Sequence, residues 1–574
     1  MYKRASLSLP SSKKCILMRF LSHFKARRFK IWCIQIVFVT LVLLAWEVWA
    51  KMYPSVLIPP PSQCFIALYE LFYSNILIPD ISASLGRVLI GFLLALSVGL
   101  LFGFVLSVLG IVRFALTGLL ELLRPIPPIA WIPIIVAWLG IGNASAWCII
   151  FIGAFFPIFT NTLFGVTSIE KIYLETAKVL GASRFRTFKN VIFPSTLPNI
   201  FAGIRVGLGF AWMCVVAAEM FAAQSGLGYA IQLNRQLFRL DRVIAYMAVI
   251  AVIGVMIMRF ISWLERMCIP WKQTNLKNDF YGEPSINNNV VPVHDIHIVV
   301  PDEPLVNRNH KIFEWQTVSG VSVKITDARF HYPERTEFVL DGTTMNVHSG
   351  EVYCILGRSG CGKSTLLRLL AGLEQVSAGT VQIDGTRVLG HRSDTTMVFQ
   401  DFSLFPWKTV EGNILFSLKQ KEFCPINIKA ESSHFLGLVG LQHKASDWPH
   451  LLSGGQMQRV AFARALATCP RLFLLDEPFS ALDIRTREAL QEDMSTIFKK
   501  TEATIVMVTH DIAEAVFMAD RVAVMDNGGI IIGEYDIPME RPRDKKFRNS
   551  QVFQEMTSTL WKQLNSTQYQ GEKT

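Results

Sequence analysis

The sequence predicts two unlike domains in tandem: an α-helical membrane domain with six transmembrane helices, then an α/β domain built around a phosphate-binding loop. Three observations predict it. Hydrophobic residues make up 51% of the 574-residue chain, and they are concentrated in its first half. There they form apolar runs of membrane-crossing length. The second half instead alternates short apolar runs with helix-forming ones, and it holds Gly357–Thr365, GRSGCGKST, which fits G-x-x-x-x-G-K-[ST].

Residues 1–30 are polar and basic, with Lys13, Lys14, Arg19, Lys25, Arg27, Arg28 and Lys30. Ile31–Ala50 follows and is almost wholly apolar. Its twenty residues match a hydrocarbon core of roughly 30 Å. A cleaved signal peptide has a shorter apolar region, so this run is expected to be an uncleaved anchor. Its basic flank places the N-terminus in the cytoplasm. Further spans are expected at Ser84–Val108, Gly118–Gly140, Ser145–Thr167, Ile200–Ala222 and Val243–Glu265. Six spans leave both ends of the membrane domain cytoplasmic.

The charge pattern agrees in one loop and not in another. Between the fourth and fifth spans lie Lys171, Lys178, Arg184, Arg186 and Lys189, as in a cytoplasmic loop. Between the last two lie Arg235, Arg239 and Arg242, on the outer side. A docking surface and local tolerance both account for these three. The net charge of +11 does not require nucleic acid, because the basic residues cluster around the spans; no nucleic-acid partner is expected. Ten cysteines stand singly without a C-x-x-C pair, which argues against a disulfide framework and a zinc site.

Two features of the membrane half carry chemistry. Arg124–Pro133 reads RPIPPIAWIP, and four prolines interrupt the backbone ladder there. Such a break is tolerated where the freed groups are buried in protein or line a cavity. It therefore marks either a kinked segment beside a translocation path or a helix entry bent for packing. Glu219 is an intramembrane carboxylate near a span end. Function and a structural hydrogen bond are both open for it.

The loop before the fifth span has Glu175, Ala177, Gly181 and Phe193-Pro194 in the pattern E-x-A-x₃-G-x₁₁-[LF]-P. A short helix with Ala and Gly on one side is suited to docking in a groove on another protein. From Lys272 to about Gln316 the chain is polar and rich in Asn, Asp and Pro, as in a linker, and it contains His294, His297 and His310. As a flexible coil it would span roughly 35–40 Å.

In the second half, the strand Val352–Leu356 leads into the phosphate loop and Leu366–Ala371 continues as a helix. Gly357, Gly360 and Gly362 let backbone N–H groups converge on phosphate at the helix's positive end. Lys363 reaches the outer phosphates, Ser364 is placed to hold Mg²⁺, and Cys361 is a small side chain that fits the loop. Further signals follow. Gln400 ends the run TTMVFQ. Leu452–Gln456 (LSGGQ) opens a helix. The strand Leu472–Asp476 ends in a carboxylate followed by Glu477, and the strand Ile505–Thr509 ends at His510. An aspartate at a strand end holds Mg²⁺ through water, the next carboxylate activates an attacking water, a glutamine completes the metal sphere, and a histidine contacts the γ-phosphate. Ser453, Gly454 and Gly455 offer a second phosphate-binding helix start, which suggests that two domains share each nucleotide.

Residues 321–530 resemble the ATPase domain of ABC transporters. Gly357–Thr365 matches Walker A, which implies ATP binding by Gly357, Arg358, Ser359, Gly360, Cys361, Gly362, Lys363, Ser364 and Thr365. Gln400 matches the Q-loop, Ser453, Gly454, Gly455 and Gln456 the signature that meets the partner's ATP, and Asp476 with Glu477 Walker B and its catalytic glutamate. Ser480–Asp483 matches the D-loop, with Asp483, and His510 the switch histidine. Tyr332 stands where the family stacks an aromatic ring on adenine, with His331 and Phe330 as alternatives. No long regulatory domain of the sugar-importer type is expected after Asn527. Residues 31–271 resemble a binding-protein-dependent permease, and Glu175–Pro194 its EAA loop, whose helix, with Glu175, Ala177 and Gly181, couples permease to ATPase. RPIPPIAWIP, AAEMFAAQSGLGY and the FPW after Gln400 resemble the nitrate, sulfonate and taurine import subfamily, although permease and ATPase are usually separate chains there.

The resemblance implies an α-helical membrane domain of six transmembrane helices (31–271), a flexible linker (272–320) and an α/β P-loop ABC ATPase domain (321–574). It implies ATP and Mg²⁺ as cofactors, with Mg²⁺ held by Ser364, Gln400 and Asp476. The implied partners are a second copy or a related fused chain, an extracytoplasmic substrate-binding protein and membrane lipid. The implied function is half of an ATP-driven importer of a small polar solute in a bacterial inner membrane. Two alternatives are weighed: a half-size exporter, against which the short loops and the EAA pattern speak, and an ATP-binding regulator without turnover, against which Glu477 and His510 speak.

Overall fold

The computed structural model describes residues 33–53, 58–272, 319–333, 336–420, 427–480 and 482–566. The basic segment 1–30, nearly all of the linker with its three histidines, Ala481 of the D-loop stretch and the end of the tail lie outside them. The chain divides into two compact units. One comprises residues 1–167 and 198–267; the other comprises 168–197 and 268–574. The loop that carries Glu175 thus belongs to the same unit as the phosphate-loop half.

The membrane unit is helical: α1 (Cys33–Met52), α2 (Pro61–Tyr73), α3 (Leu77–Val108), α4 (Gly110–Leu123), α5 (Ile132–Leu139), α6 (Asn143–Thr167), then, after α7 (Lys171–Val179) and α8 (Arg184–Thr187) of the other unit, α9 (Phe193–Ala222), α10 (Leu227–Gln236) and α11 (Leu240–Cys268). Among the described residues five helices are long and apolar enough to cross a membrane, six if one bent pair counts as a span. That pair corrects the expected continuous span Gly118–Gly140. α4 begins earlier and stops at Leu123, a short 3₁₀ turn covers Pro128–Trp131, and the axis bends by 85° before α5 ends. Pro125, Pro127 and Pro128 supply no N–H to continue the ladder, so the break follows from the sequence. The spans formed by α3, α6, α9 and α11 run longer than expected, with polar residues such as Asp80 and Asp241 joining the first turns of α3 and α11.

α3 and α6 approach closely. A Cβ on Gly91, Gly99 or Gly103 would stand 2.8, 3.0 or 2.7 Å from Ile150, Ile158 or Thr162. Small residues permit this spacing, and dispersion then holds helices together where no hydrophobic driving force exists. Arg205 of α9 also pairs with Glu265 of α11. On the α10–α11 side, Arg239 pairs with Asp241 at 2.8 Å and Arg242 lies 3.4 Å from Glu70. Two of the three arginines expected on the outer side are thus neutralised within the chain, which favours local tolerance over docking.

Glu219 is buried and fully engaged. It accepts from Arg87 Nη1 at 2.6 Å, from Ser84 Oγ at 2.8 Å and from the Gly228 N–H at 2.9 Å. Arg87 also donates to Asn143 Oδ1 and to the Ser225 carbonyl and hydroxyl. One ion pair therefore ties α3, α6 and α9 to the segment entering α10, and the structural role of Glu219 prevails. Glu219→Ala leaves the Arg87 guanidinium buried without its carboxylate. The expected loss is about 3–5 kcal/mol, read as a fall in unfolding temperature in detergent. The paired change Arg87→Met with Glu219→Leu is expected to recover much of it.

The second unit holds two sheets. The first is antiparallel, with β1 (Val323–Phe330), β2 (Leu340–Val347), β4 (Ala378–Ile383) and β5 (Thr386–Arg387) in the order β2-β1-β4-β5. The second contains β3 (Val352–Gly357), β6 (Thr395–Val398), β7 (Leu472–Asp476), β8 (Thr504–Thr509), β9 (Arg521–Met525) and β10 (Ile531–Asp536) in the order β10-β9-β3-β8-β7-β6. Only β10 runs antiparallel. β3, β7 and β8 are buried at every position, as near-continuous apolar strands of a parallel sheet should be. Helices α12 (Lys363–Leu370), α13 (Val410–Leu418), α14 (Ile428–Leu438), α15 (Gly454–Leu466), α16 (Ile484–Thr501), α17 (Ile512–Met518), α18 (Lys545–Arg548) and α19 (Gln551–Ser566) complete the unit. The motif residues follow the carboxyl ends of β3, β6, β7 and β8, where open α/β sheets bind ligands.

Candidate functional site

The phosphate loop joins β3 to α12. Gly362 caps the helix with φ +104°, and a Cβ there would stand 2.7 Å from Leu340 Cδ2 and 3.0 Å from the Val339 carbonyl, so both conformation and space require glycine. Lys363 curls back to donate to the Gly357 and Arg358 carbonyls at 2.8 and 2.7 Å. Cys361 is 1% exposed, and burial pushes its thiol up, so it is a packing residue. A cavity of about 800 Å³ opens at this loop. Its wall includes Ser359, Gly360, Lys363, Thr365, Gln400 and Glu477.

Tyr332 also lines the cavity, and its hydroxyl lies 3.2 Å from Thr365 Oγ1. Phe330 is buried in the core and His331 packs edge-on against Phe338. Of the three aromatic candidates, Tyr332 is the one that faces the space.

Ser364 Oγ donates to Asp476 Oδ1 at 2.9 Å, bridging α12 and β7. Burial raises the Asp476 carboxyl, the Ser364 hydrogen bond opposes this, and the neighbouring Glu477 charge adds to it. A buried carboxylate beside a hydroxyl, both oxygen donors, fits a hard divalent cation such as Mg²⁺. Gln400 lies two residues beyond β6, and its Nε2 donates to Glu477 Oε2 at 3.4 Å. His510 Nδ1 is 3.1 Å from the same oxygen. Glu477 adopts φ +44°, and its N–H donates to the Val508 carbonyl at 3.0 Å. Left-handed backbone at a carboxylate is a strain that neighbouring structure must hold. Four of the motifs, from β3, β6, β7 and β8, therefore converge.

The signature does not join them. Ser453 caps α15 in a reciprocal capping box with Gln456, and Gly454 and Gly455 open the helix. Asp483 caps α16 through the Thr486 N–H. None of these lines the phosphate-loop cavity.

The loop 168–197 packs on the phosphate-loop domain of its own chain. Ala177 is completely buried. Glu175 takes both arms of Arg368, on α12, at 2.9 and 2.5 Å. Tyr173 meets Trp407 edge-on, and Trp407 Nε1 donates to the Asn190 carbonyl at 2.8 Å. Gly181 ends α7 with φ +80°, and a Cβ there would lie 3.9 Å from its nearest neighbours. The demand on Gly181 is therefore conformational, not tight docking. Sequence reasoning missed Arg368, Trp407 as a hydrogen-bond donor, and Lys171, which lines the phosphate-loop cavity. The spacing of Arg368 five residues after Lys363 was a usable signal, since it places both on one short helix.

Residues 340–480 match the family model for ABC transporter, and residues 83–268 match that for the binding-protein-dependent transport system inner membrane component. The chain is 44% identical over 214 residues to a nitrate import ATP-binding protein of Synechocystis sp., covering 36% of this chain and 80% of that protein. The chain belongs to the ABC transporter family. It is also 43% identical over 236 residues to an aliphatic sulfonates import ATP-binding protein of Ralstonia nicotianae, covering 41% of this chain and 80% of that one. Against the putrescine transport ATP-binding protein of Escherichia coli it is 46% identical over 210 residues, 36% of this chain and 56% of the relative. This ABC transporter carries permease and ATPase in one polypeptide and crosses the membrane several times.

In the ABC transporter's ATPase half, Glu514 of α17 is buried four residues after His510. Burial pushes its carboxyl from 4.5 up to about 8, the Asp511 charge adds, and a Thr509 hydrogen bond opposes. The folded state thus binds the extra proton between those two values, and its stability falls as pH rises through that window. Glu514→Gln is expected to remove this dependence. Between pH 6 and 9 the wild-type ATPase half loses roughly 2–3 kcal/mol more than the variant. Thermal unfolding at the two pH values checks this, and equal losses would exclude a protonated Glu514.

Proposed function

We propose that this chain is half of an ATP-driven importer in a bacterial inner membrane, with both termini cytoplasmic, that moves a small polar anion of the nitrate, sulfonate or taurine kind. The observation that carries the reading is the Glu175–Pro194 loop seated on the chain's own ATPase, with Glu175 clasping the phosphate-loop helix through Arg368. Similarity to nitrate and sulfonate import ATP-binding proteins supports the solute class. The linker at 272–320 divides permease from ATPase in this reading.

ATP sits in the cavity at the phosphate loop, its adenine on Tyr332. Backbone N–H groups of Gly357–Thr365 and Lys363 take the phosphates. Ser364, Asp476 and Gln400 would hold Mg²⁺, which would supply positive charge against the phosphates. Glu477 orients and deprotonates the attacking water, and His510 contacts the γ-phosphate and holds Glu477 in place. Ser453, Gly454, Gly455 and Gln456 lie away from this cavity, so they cover the ATP of a second copy or of a related fused chain, with Asp483 beside them. ATP-driven closure of two such domains pulls on Glu175, Ala177 and Gly181 and so on the permease. An extracytoplasmic binding protein delivers the solute.

The test is ATPase activity of the purified chain in lipid nanodiscs, with and without candidate binding proteins loaded with nitrate, a sulfonate or taurine. Stimulation by one loaded protein is expected. Activity that no binding protein changes, and that a hydrophobic compound raises, would overturn import.

A further inference from the structure

We propose that the membrane unit carries an anion-binding site of its own, in which Arg113 and Arg124 hold the transported anion between α4 and α6. The proposal rests on the importer reading above and names the solute's place within it. A cavity of about 610 Å³ lies between these helices, with Arg113, Glu121, Arg124, Phe156, Phe159 and Thr160 in its wall. Arg113 stands near the start of α4, and Arg124 caps its end, where the helix breaks before the proline run. Eleven residues separate them, roughly 16 Å along a helix, so one charge is near the end of the span and the other deep within it.

A guanidinium inside a membrane span is costly unless it faces a partner or a water-filled path. Among the described residues neither guanidinium has a carboxylate within ion-pairing distance. Glu121 shares the wall but pairs with neither, so two positive charges against one negative leave the cavity with one net positive charge. Nor do the hydroxyls compete as donors: Thr117 donates to the Arg113 carbonyl at 2.5 Å and Thr160 to the Phe156 carbonyl at 2.8 Å. The guanidiniums are thus the N–H donors offered to a solute. Their planar forks match the oxygens of nitrate, a sulfonate or a carboxylate, while the phenylalanine wall takes a short apolar tail. A cationic solute meets like charge there and is rejected. Arg124, the last residue before the proline run breaks the helix, is itself part of the wall.

The site can be probed without knowing the solute. In the full chain in nanodiscs, Thr160→Cys is labelled with 2-sulfonatoethyl or 2-trimethylammonioethyl methanethiosulfonate. Rates are read on the peptide that contains position 160, so the native cysteines do not interfere. Relative to free cysteine, the sulfonate reagent is expected to be favoured roughly tenfold by the local positive potential. Arg113→Gln with Arg124→Gln should bring the ratio to unity, whereas Arg113→Lys with Arg124→Lys should keep it, which separates charge from packing. A ratio of unity in the Thr160→Cys chain, as carboxylates of a second copy closing on the arginines would give, overturns the proposal. So does a bias that survives the Gln pair, or a Cys that neither reagent reaches. The importer reading fails separately, if no loaded binding protein stimulates ATPase activity.

Discussion

Glu477→Gln is expected to lower ATP turnover by about 10²–10⁴-fold, the usual share of a general base, and to leave ATP binding intact. The amide keeps the volume and the hydrogen bonds from Gln400 and His510 but cannot take a proton. The strained backbone of Glu477, anchored to the Val508 carbonyl at 3.0 Å, is unchanged by the substitution. The variant should therefore trap the ATP-bound state, and two chains should stay closed over nucleotide. Single-turnover phosphate release and nucleotide retention on a spin column measure the two effects. Turnover near the wild-type rate would remove Glu477 as the base and leave positioning alone to account for hydrolysis.

The ATPase half was readable because its chemistry is written in contiguous stretches. Gly357–Thr365 needs its glycines for backbone reasons, and its lysine and serine are the types that a phosphate and a metal would call for, so type and spacing carry the meaning together. Asp476 and His510 were placed because buried strands end at them. What stayed hidden depends on contacts between distant segments. Nothing local to Arg368 announces Glu175, which lies 193 residues away, and nothing local to Glu219 announces Arg87, 132 residues away. In the membrane half, hydropathy located the spans yet could not separate a kink from a break: RPIPPIAWIP reads as one apolar run, while the missing N–H groups turn it through 85°. α2 and α10 were missed for the same reason, being too short to register as spans.

Breaking the Glu175–Arg368 pair is expected to uncouple transport from hydrolysis. Arg368 belongs to the helix that starts at Lys363, so motion of the phosphate loop reaches Glu175 through one rigid turn and two charge-assisted hydrogen bonds. Both side chains are largely shielded, at 18% and 11% exposure, so water replaces the lost bonds poorly. Hydrogen bonds to charged groups of this kind contribute about 1.5–3 kcal/mol, which corresponds to a shift of roughly 10- to 150-fold in the docking equilibrium. Other contacts, among them Trp407 to Asn190, Arg186 to Lys419 and Gln420, and Val179 packed in the cluster that holds Leu366 and Leu370 of α12, keep the loop near its place without a charged link to that helix. Glu175→Ala should therefore cut solute uptake into proteoliposomes at least roughly tenfold while ATP hydrolysis continues. The reversed pair, Glu175→Arg with Arg368→Glu, restores opposite charges across the same gap and should recover part of the uptake, whereas either change alone places like charges together and should not. If Glu175→Ala transports normally, the pair is packing and the force must travel through the aromatic contacts. If hydrolysis is lost with uptake, Arg368 serves the phosphate loop itself and the path from nucleotide to membrane runs elsewhere.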